Sequence, residues 1–146
     1  MRLKALNIIA GLALAASLTA CAPSNNSSPT QQPGSGGNPK PTGAFVKAAH
    51  TTTGTAKVVQ RQGQSVLELD QAFKTDDGPA LSVLLYRGEQ PPLFGLNEKD
   101  YVNLGQLQSV TGAQSYKIPT GVNASEYKSA VIWCRQFNTT FGYASL

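Results

Sequence analysis

Two side chains of this sequence can do chemistry that their neighbours cannot: the thiol of Cys134 and the imidazole of His50, the only histidine. A thiolate is a nucleophile, a redox centre and a soft metal ligand, while imidazole is a common metal ligand and a proton acceptor near neutral pH. Together they could ligate copper or the iron of a haem. Two ligands are too few for a structural zinc site, which wants four. The extra methionine or histidine usual in a copper electron-transfer site is missing, because the single methionine is Met1. A lone histidine is also commonly a hydrogen-bonded residue at a strand end or turn.

Cys134 stands beside the only tryptophan in the run "SAVIWCRQFNTTFGYA", Ser129 to Ala144. Ala130 to Cys134 is apolar at every position, the mark of a strand buried on both sides. Period two puts Ala130, Ile132 and Cys134 on one face and Val131, Trp133 and Arg135 on the other. Two readings stay open at this point. Cys134 is a small hydrophobe in a core, chemically idle; or it is a redox thiol or ligand, which requires partial exposure and a nearby cation or metal. Arg135 faces away from the sulfur and is a poor activator.

Other polar groups carry weaker signals. Asp76 and Asp77 precede Gly78-Pro79 in a turn, without the ladder of oxygen ligands that calcium needs. The tyrosines Tyr86, Tyr101, Tyr116, Tyr127 and Tyr143 are spread over separate strands and read as core and rim packing, with hydroxyls reaching water. There is no nucleophile elbow, phosphate-binding glycine loop or paired-cysteine redox motif. An enzyme is therefore the weaker expectation.

The elements that must position these residues are strands. Short alternating or fully apolar runs recur between Gly, Pro, Asn and Asp, and no segment holds a helical period for more than a couple of turns. "GTAKVVQRQGQSVLELDQAF" reads as a hairpin turning at Gln62-Gly63-Gln64, with Leu67, Leu69 and Phe73 inward. "FVKA", "LSVLLYRG", "YVNLGQLQ" with a bulge at Gly105, "SYKIP", "AVIWC" and "TTFGYASL" complete about eight strands. The expected fold is all-β, a sandwich of jelly-roll type in preference to a barrel. A short helical turn is expected at "NASEYKS", capped by Asn123 or Ser125.

Residues 1–20 have a basic start (Arg2, Lys4), an apolar stretch and small residues, the architecture of an export signal. The apolar part is shorter than the roughly 20 residues of a spanning helix. Leu18-Thr19-Ala20-Cys21 resembles the lipobox of bacterial lipoproteins, in which the chain is cut before the cysteine and its sulfur is lipidated. Acyl chains contribute about 0.8 kcal/mol per buried methylene, so a lipidated Cys21 would hold the chain on a membrane. Residues 21–43, with "APSNNSSPTQQPGSGGNPKPT" after the cysteine, bury too little apolar area to fold and should form a disordered tether of roughly 25 Å reach. Residues 44–146 form the remaining domain.

Cleavage would remove Arg2 and Lys4 from twelve basic side chains, leaving ten against eight acidic ones, a formal +2. The remaining Lys and Arg are scattered, which argues against nucleic acid as a partner.

"HTTTGTAKVV", "LELDQAFKTDDGPALSVLL", "YVNLGQLQSVTGAQSYKIP" and "SAVIWCRQFNTTFGYASL", in this order and spacing, resemble the electron-transfer DM13 domain family over residues 44–146. The most specific piece is Trp133-Cys134-Arg135 followed by Phe137 and Phe141-Gly142. The family pattern has Pro after the motif histidine and an acidic residue after Gly-Pro, where Thr51 and Ala80 stand here. The resemblance implies a small β domain acting in electron transfer or redox modification through its cysteine, as a bare thiol or as a ligand of haem or metal, with His50 at the motif histidine. The expected setting is the bacterial cell envelope, outside the cytoplasm, anchored through Cys21, with a redox or envelope protein as partner.

The competing expectation is a non-catalytic interaction module of the envelope. Here Cys134 only packs, and "RGEQPPLFGLNEKD", residues 87–100, presents Leu93 and Phe94 as a contact patch.

Overall fold

The structure, a computed structural model, describes residues 42–146. The expected signal, Cys21 and nearly all of the tether lie outside the described residues. The strands are β1 (Gly43–Lys47), β2 (Thr52–Thr53), β3 (Thr55–Arg61), β4 (Gln64–Leu69), β5 (Lys74–Thr75), β6 (Leu81–Tyr86), β7 (Tyr101–Gln106), β8 (Gln114–Lys117), β9 (Ser129–Cys134) and β10 (Thr139–Ser145). Single turns of 3-10 helix at Glu98–Asp100 and Ala124–Glu126 are the only helical pieces among the described residues.

Eight strands form one antiparallel sheet in the order β7-β6-β9-β10-β1-β3-β4-β8. Strand β1 pairs with β10 on one side and with β3 on the other, so it belongs to both halves of the sheet. The sheet bends there until its edge strands β7 and β8 approach, and it nearly closes. The two halves face each other like the layers of a sandwich, and Phe45, Leu67, Leu69, Val83, Tyr116 and Ile132 belong to the one apolar core between them. The all-β expectation holds, and these eight strands are the eight read from the sequence. Strands β2 and β5 form a separate two-stranded ribbon, which two-residue strands are too short to announce by periodicity.

Local chemistry sets the register. Gln62 and Gly63 sit at φ 50° and 80° between the paired Arg61 and Gln64, the geometry of a two-residue type I′ hairpin. Gly105, at φ 131°, pairs with Val83 while Asn103 pairs with Leu84, leaving Leu104 as the extra residue of a bulge. Phe73 is buried, but from a turn beyond the end of β4, where its N–H donates to the Asp70 carbonyl at 3.2 Å. Asn123 caps the Ala124–Glu126 turn by accepting from the Ser125 N–H at 3.1 Å.

Strand β9 runs between β6 and β10, and all six of its residues are buried. Ala130, Ile132 and Cys134 join the main core. Val131 and Trp133 join a second apolar cluster on the outer face with Leu84 and Leu96, flanked by Tyr86, Tyr101 and Tyr143. Both faces are thus covered, as the unbroken apolar run requires.

Two expectations for the tyrosines are corrected. The Tyr116 hydroxyl does not reach water: it donates to Gln114 Oε1 at 2.6 Å and accepts from the Gln108 N–H at 3.0 Å. Burial pushes its phenol up from the ordinary value, with the Gln108 N–H opposing. Tyr127 follows the Ala124–Glu126 turn and lies in no strand, with the Arg87 guanidinium 4.8 Å over its ring.

Candidate functional site

Strand β9 ends at Cys134 because the chain turns sharply through Arg135 to Asn138. Asn138 adopts φ 46°, a left-handed conformation that Asn tolerates better than most residues, and its N–H donates to the Arg135 carbonyl at 3.3 Å. The turn re-enters β10 with Thr139 opposite Cys134. Arg135 is exposed, so it offers the sulfur no charge.

Cys134 is unpaired and fully buried. Its Sγ donates to the Pro79 carbonyl at 3.0 Å, a bond that needs the proton on sulfur. The segment Gly78-Pro79-Ala80 crosses over it and is pinned by the Arg135 N–H to the Ala80 carbonyl at 3.2 Å. Ala80 is held at φ 53°, which costs a residue with a Cβ about 1 kcal/mol. Pro79 is itself exposed, so the cover is one residue thick. Among the described residues no cluster of three or more His, Cys, Asp and Glu surrounds the thiol or lies elsewhere.

His50 is positioned by the same end of the sheet. Past β1 the N–H groups of Ala48 and His50 both donate to the Phe141 carbonyl at 3.1 Å, and that of Ala49 donates to Thr140 at 3.0 Å. The imidazole stacks on the Phe141 ring, 3.8 Å between centroids at 28°. Its Nδ1 lies 3.3 Å from Asp76 Oδ2, which also accepts the Thr51 N–H at 3.2 Å. A carboxylate only accepts, so Nδ1–H is the donor in this pair. Nε2 has no partner among the described residues. The side chain is 41% exposed.

Beside His50 lies a groove of about 470 Å³, walled also by Asp77, Pro79, Phe94, Phe137 and Phe141. Phe94 and Phe137 are 63% and 64% exposed. Their backbone is nonetheless tightly held: Thr140 N–H to Leu93 O at 2.9 Å, Gly95 N–H to Asn138 O at 3.0 Å, and a Phe94–Thr139 bridge. Asn138 Oδ1 accepts both the Leu96 N–H and the Trp133 indole N–H at 3.0 Å. Two large apolar rings are therefore displayed by a hydrogen-bonded frame.

His50 thus edges the groove, while Cys134 lies buried behind Pro79 and does not line it. Pro79 lines the groove and caps the thiol with its carbonyl. The exposed pair Leu93 and Phe94 stands where the sequence suggested a contact patch. Asp76 as the orienter of His50, and Phe137 and Asn138 as wall and frame, were not read from the sequence. The only available signal was an asparagine following Phe137, a turn residue that turns the preceding aromatic outward.

The chemistry this end of the small β domain offers is one sheltered thiol and one imidazole oriented by a carboxylate. The electron transfer DM13 family model matches residues 44–146, and the chain belongs to that family. The match ties the chain to a redox-related role. No curated protein and no solved structure matches the chain.

Proposed function

We propose that this protein is a lipid-anchored redox module of the bacterial cell envelope, held outside the cytoplasm by Cys21, with its working surface at the groove edged by His50 and Cys134 behind its Pro79 wall. The observation that carries the reading is His50: Asp76 orients the ring through Nδ1, and Nε2 has no partner among the described residues, at the edge of an apolar, aromatic groove. A carboxylate behind a histidine is the usual support of a metal-binding imidazole.

Of the cofactors the sequence allows, a haem suits this donor set better than copper. His50 would supply one nitrogen ligand, and Phe94, Phe137, Phe141 and Pro79 offer the apolar contact that a flat macrocycle needs. Copper finds no third donor here among the described residues, since Cys134 is turned to the Pro79 carbonyl. A bound haem would supply one-electron chemistry. The chain would bind it, orient His50 and hold water away, with Cys134 as the supporting thiol one layer below.

The test is an absorption spectrum and elemental analysis of the full chain made in a bacterial host with lipoprotein processing, beside His50→Gln and Cys134→Ser. A Soret band lost in His50→Gln is expected. A colourless, metal-free protein without any redox-titratable signal overturns the reading.

The exposed Leu93, Phe94 and Phe137 favour a second reading, an interaction module on the same scaffold. In that case Leu93→Ser with Phe94→Ser abolishes partner capture, and Cys134→Ala leaves it intact.

A further inference from the structure

Trp133, the only tryptophan, stands one hydrogen bond from the chain that walls the groove. Its indole N–H donates to Asn138 Oδ1 at 3.0 Å, and Asn138 is joined by a peptide bond to Phe137, which lines the groove. On the outer face of the sheet the indole meets the ring of Tyr101, 5.5 Å between centroids at 47°. Tyr86 and Tyr143 flank the same outer cluster, and among the described residues Tyr101 is the tyrosine whose ring pairs with the indole. Indole and phenol are the aromatic side chains that most readily lose one electron.

Two details exceed what packing asks. Tyr101 is half-buried and its hydroxyl bonds no group among the described residues, so phenylalanine would fill the space equally well. Asn138 Oδ1 fixes the indole N–H with an amide oxygen, which accepts a hydrogen bond but is too weak a base to take the proton.

We propose that Trp133 and Tyr101 form a relay that passes single electrons from the outer face of the sheet to a strong oxidant at the groove wall, of the oxygen-centred radical class. An alkoxyl radical there takes one electron from Trp133 and a proton from water and becomes an alcohol, and the indole, which keeps its own proton, is left as a radical cation. Tyr101 gives that cation one electron and releases its phenolic proton to water, restoring Trp133 and leaving a tyrosyl radical at the rim. A dissolved one-electron reductant, an enediol or a thiol, returns the electron, and water returns the proton. The transfer from Tyr101 runs downhill at neutral pH, because a phenol that can shed its proton is easier to oxidise than an indole that keeps its own. Tunnelling decays less steeply through bonds and hydrogen bonds than across empty space, and the route from Phe137 to the indole is bonded throughout. The relay lies outside the groove and asks no cofactor of it, so it goes beyond the redox reading and is tested apart from it.

The experiment oxidises the full chain with azide radical, generated by pulse radiolysis at neutral pH, which attacks indole in preference to a protonated phenol. The tryptophan-radical absorption is expected to decay in step with growth of the tyrosyl absorption, at a rate independent of protein concentration. Tyr101→Phe, which keeps the ring, is expected to abolish that growth, and Tyr143→Phe to leave it in place. A second arm carries a ruthenium photo-oxidant on Phe137→Cys, in host-made Cys134→Ser protein with Cys21 acylated and one label per chain by mass. Flash oxidation should produce the tyrosyl radical, and Trp133→Phe should abolish it. Where Trp133→Phe does not fold, Tyr101→Phe in the labelled chain should instead leave the oxidation standing at Trp133. Tyrosyl growth unchanged in Tyr101→Phe, tryptophan decay without tyrosyl growth, or oxidation of Tyr101 by the label that ignores the loss of Trp133 overturns the proposal and leaves the aromatic cluster as packing. A relay found in host-made protein without Soret band, metal or redox-titratable signal removes the redox module alone. A Soret band in protein that shows no such transfer removes the relay alone.

Discussion

Labelling of Cys134 by a small aromatic disulfide tests whether the thiol is reached by moving its cover or only by unfolding the domain. Local opening must break the Sγ–Pro79 O bond and the Arg135 N–Ala80 O bond, each worth about 1 kcal/mol or less. It also uncovers part of Leu81 and the Gly78 edge of Phe141, on the order of 40 Å² of apolar surface or about 1 kcal/mol. Release of the left-handed Ala80 returns up to about 1 kcal/mol. The net is about 2 to 3 kcal/mol, a slowing of roughly a hundredfold relative to the unfolded chain at 1.4 kcal/mol per decade. Global unfolding, at about 5 kcal/mol or more, would slow it by several thousandfold. Stopped-flow labelling in sub-denaturing urea separates the two: local opening exposes little surface, so the rate should be nearly independent of urea. Pro79→Gly should speed labelling about tenfold without moving the unfolding midpoint by much. A rate that climbs with urea along the slope of global unfolding refutes the thin cover and leaves Cys134 as core filling.

Three further outcomes follow from particular contacts. Tyr116→Phe leaves Gln114 Oε1 and the Gln108 N–H short of a partner and should cost about 1 to 3 kcal/mol at neutral pH. Because the folded-state phenol is pushed up, its contribution is complete below about pH 10 and fades as pH rises beyond that, so denaturation curves of the two proteins should converge in alkali. Gly142→Ala would set a Cβ 2.4 Å from the Thr52 side chain and 3.0 Å from the Val46 carbonyl, so a loss of about 2 to 3 kcal/mol is expected from urea unfolding. Gln62→Asn, at the first left-handed position of the β3–β4 turn, should raise the thermal midpoint by a few degrees, on the order of 0.5 kcal/mol.

The sheet was legible because each of its eight strands announces itself by composition and is fenced by turn residues with a conformational reason to be there. Gln62-Gly63 and Gly105 are the clearest: a left-handed backbone is required at both places and appears at both. The double-sided burial of β9 was equally readable, since an apolar run without alternation has no solvent face to offer. What the sequence withheld is long-range. Asp76 stands 26 residues from His50 and Pro79 stands 55 from Cys134, and neither spacing follows from any period. The competing readings of Cys134 stayed open for the same reason, since the identity of a covering atom belongs to the tertiary fold. Closing the sheet at β1, and not joining two independent sheets, also depends on strand partners that periodicity does not name.

Thiol access and groove occupancy are coupled through Phe141. Its ring carries the His50 stack on one side, and a Cβ placed on Gly78 would lie 2.7 Å from it. Gly78 and Pro79 in turn form both the groove wall and the cover of the sulfur. The cover cannot lift without tearing the wall, so any molecule filling the groove binds the closed form and not the open one. Such a molecule at a hundred times its dissociation constant stabilises the closed form by about 2.7 kcal/mol. Labelling of Cys134 should then slow by a further factor of about a hundred, in proportion to ligand and saturating only where labelling through global unfolding takes over. A ligand that binds the groove yet leaves the labelling rate untouched would mean that wall and cover move separately, and that the buried thiol takes no part in what the groove does.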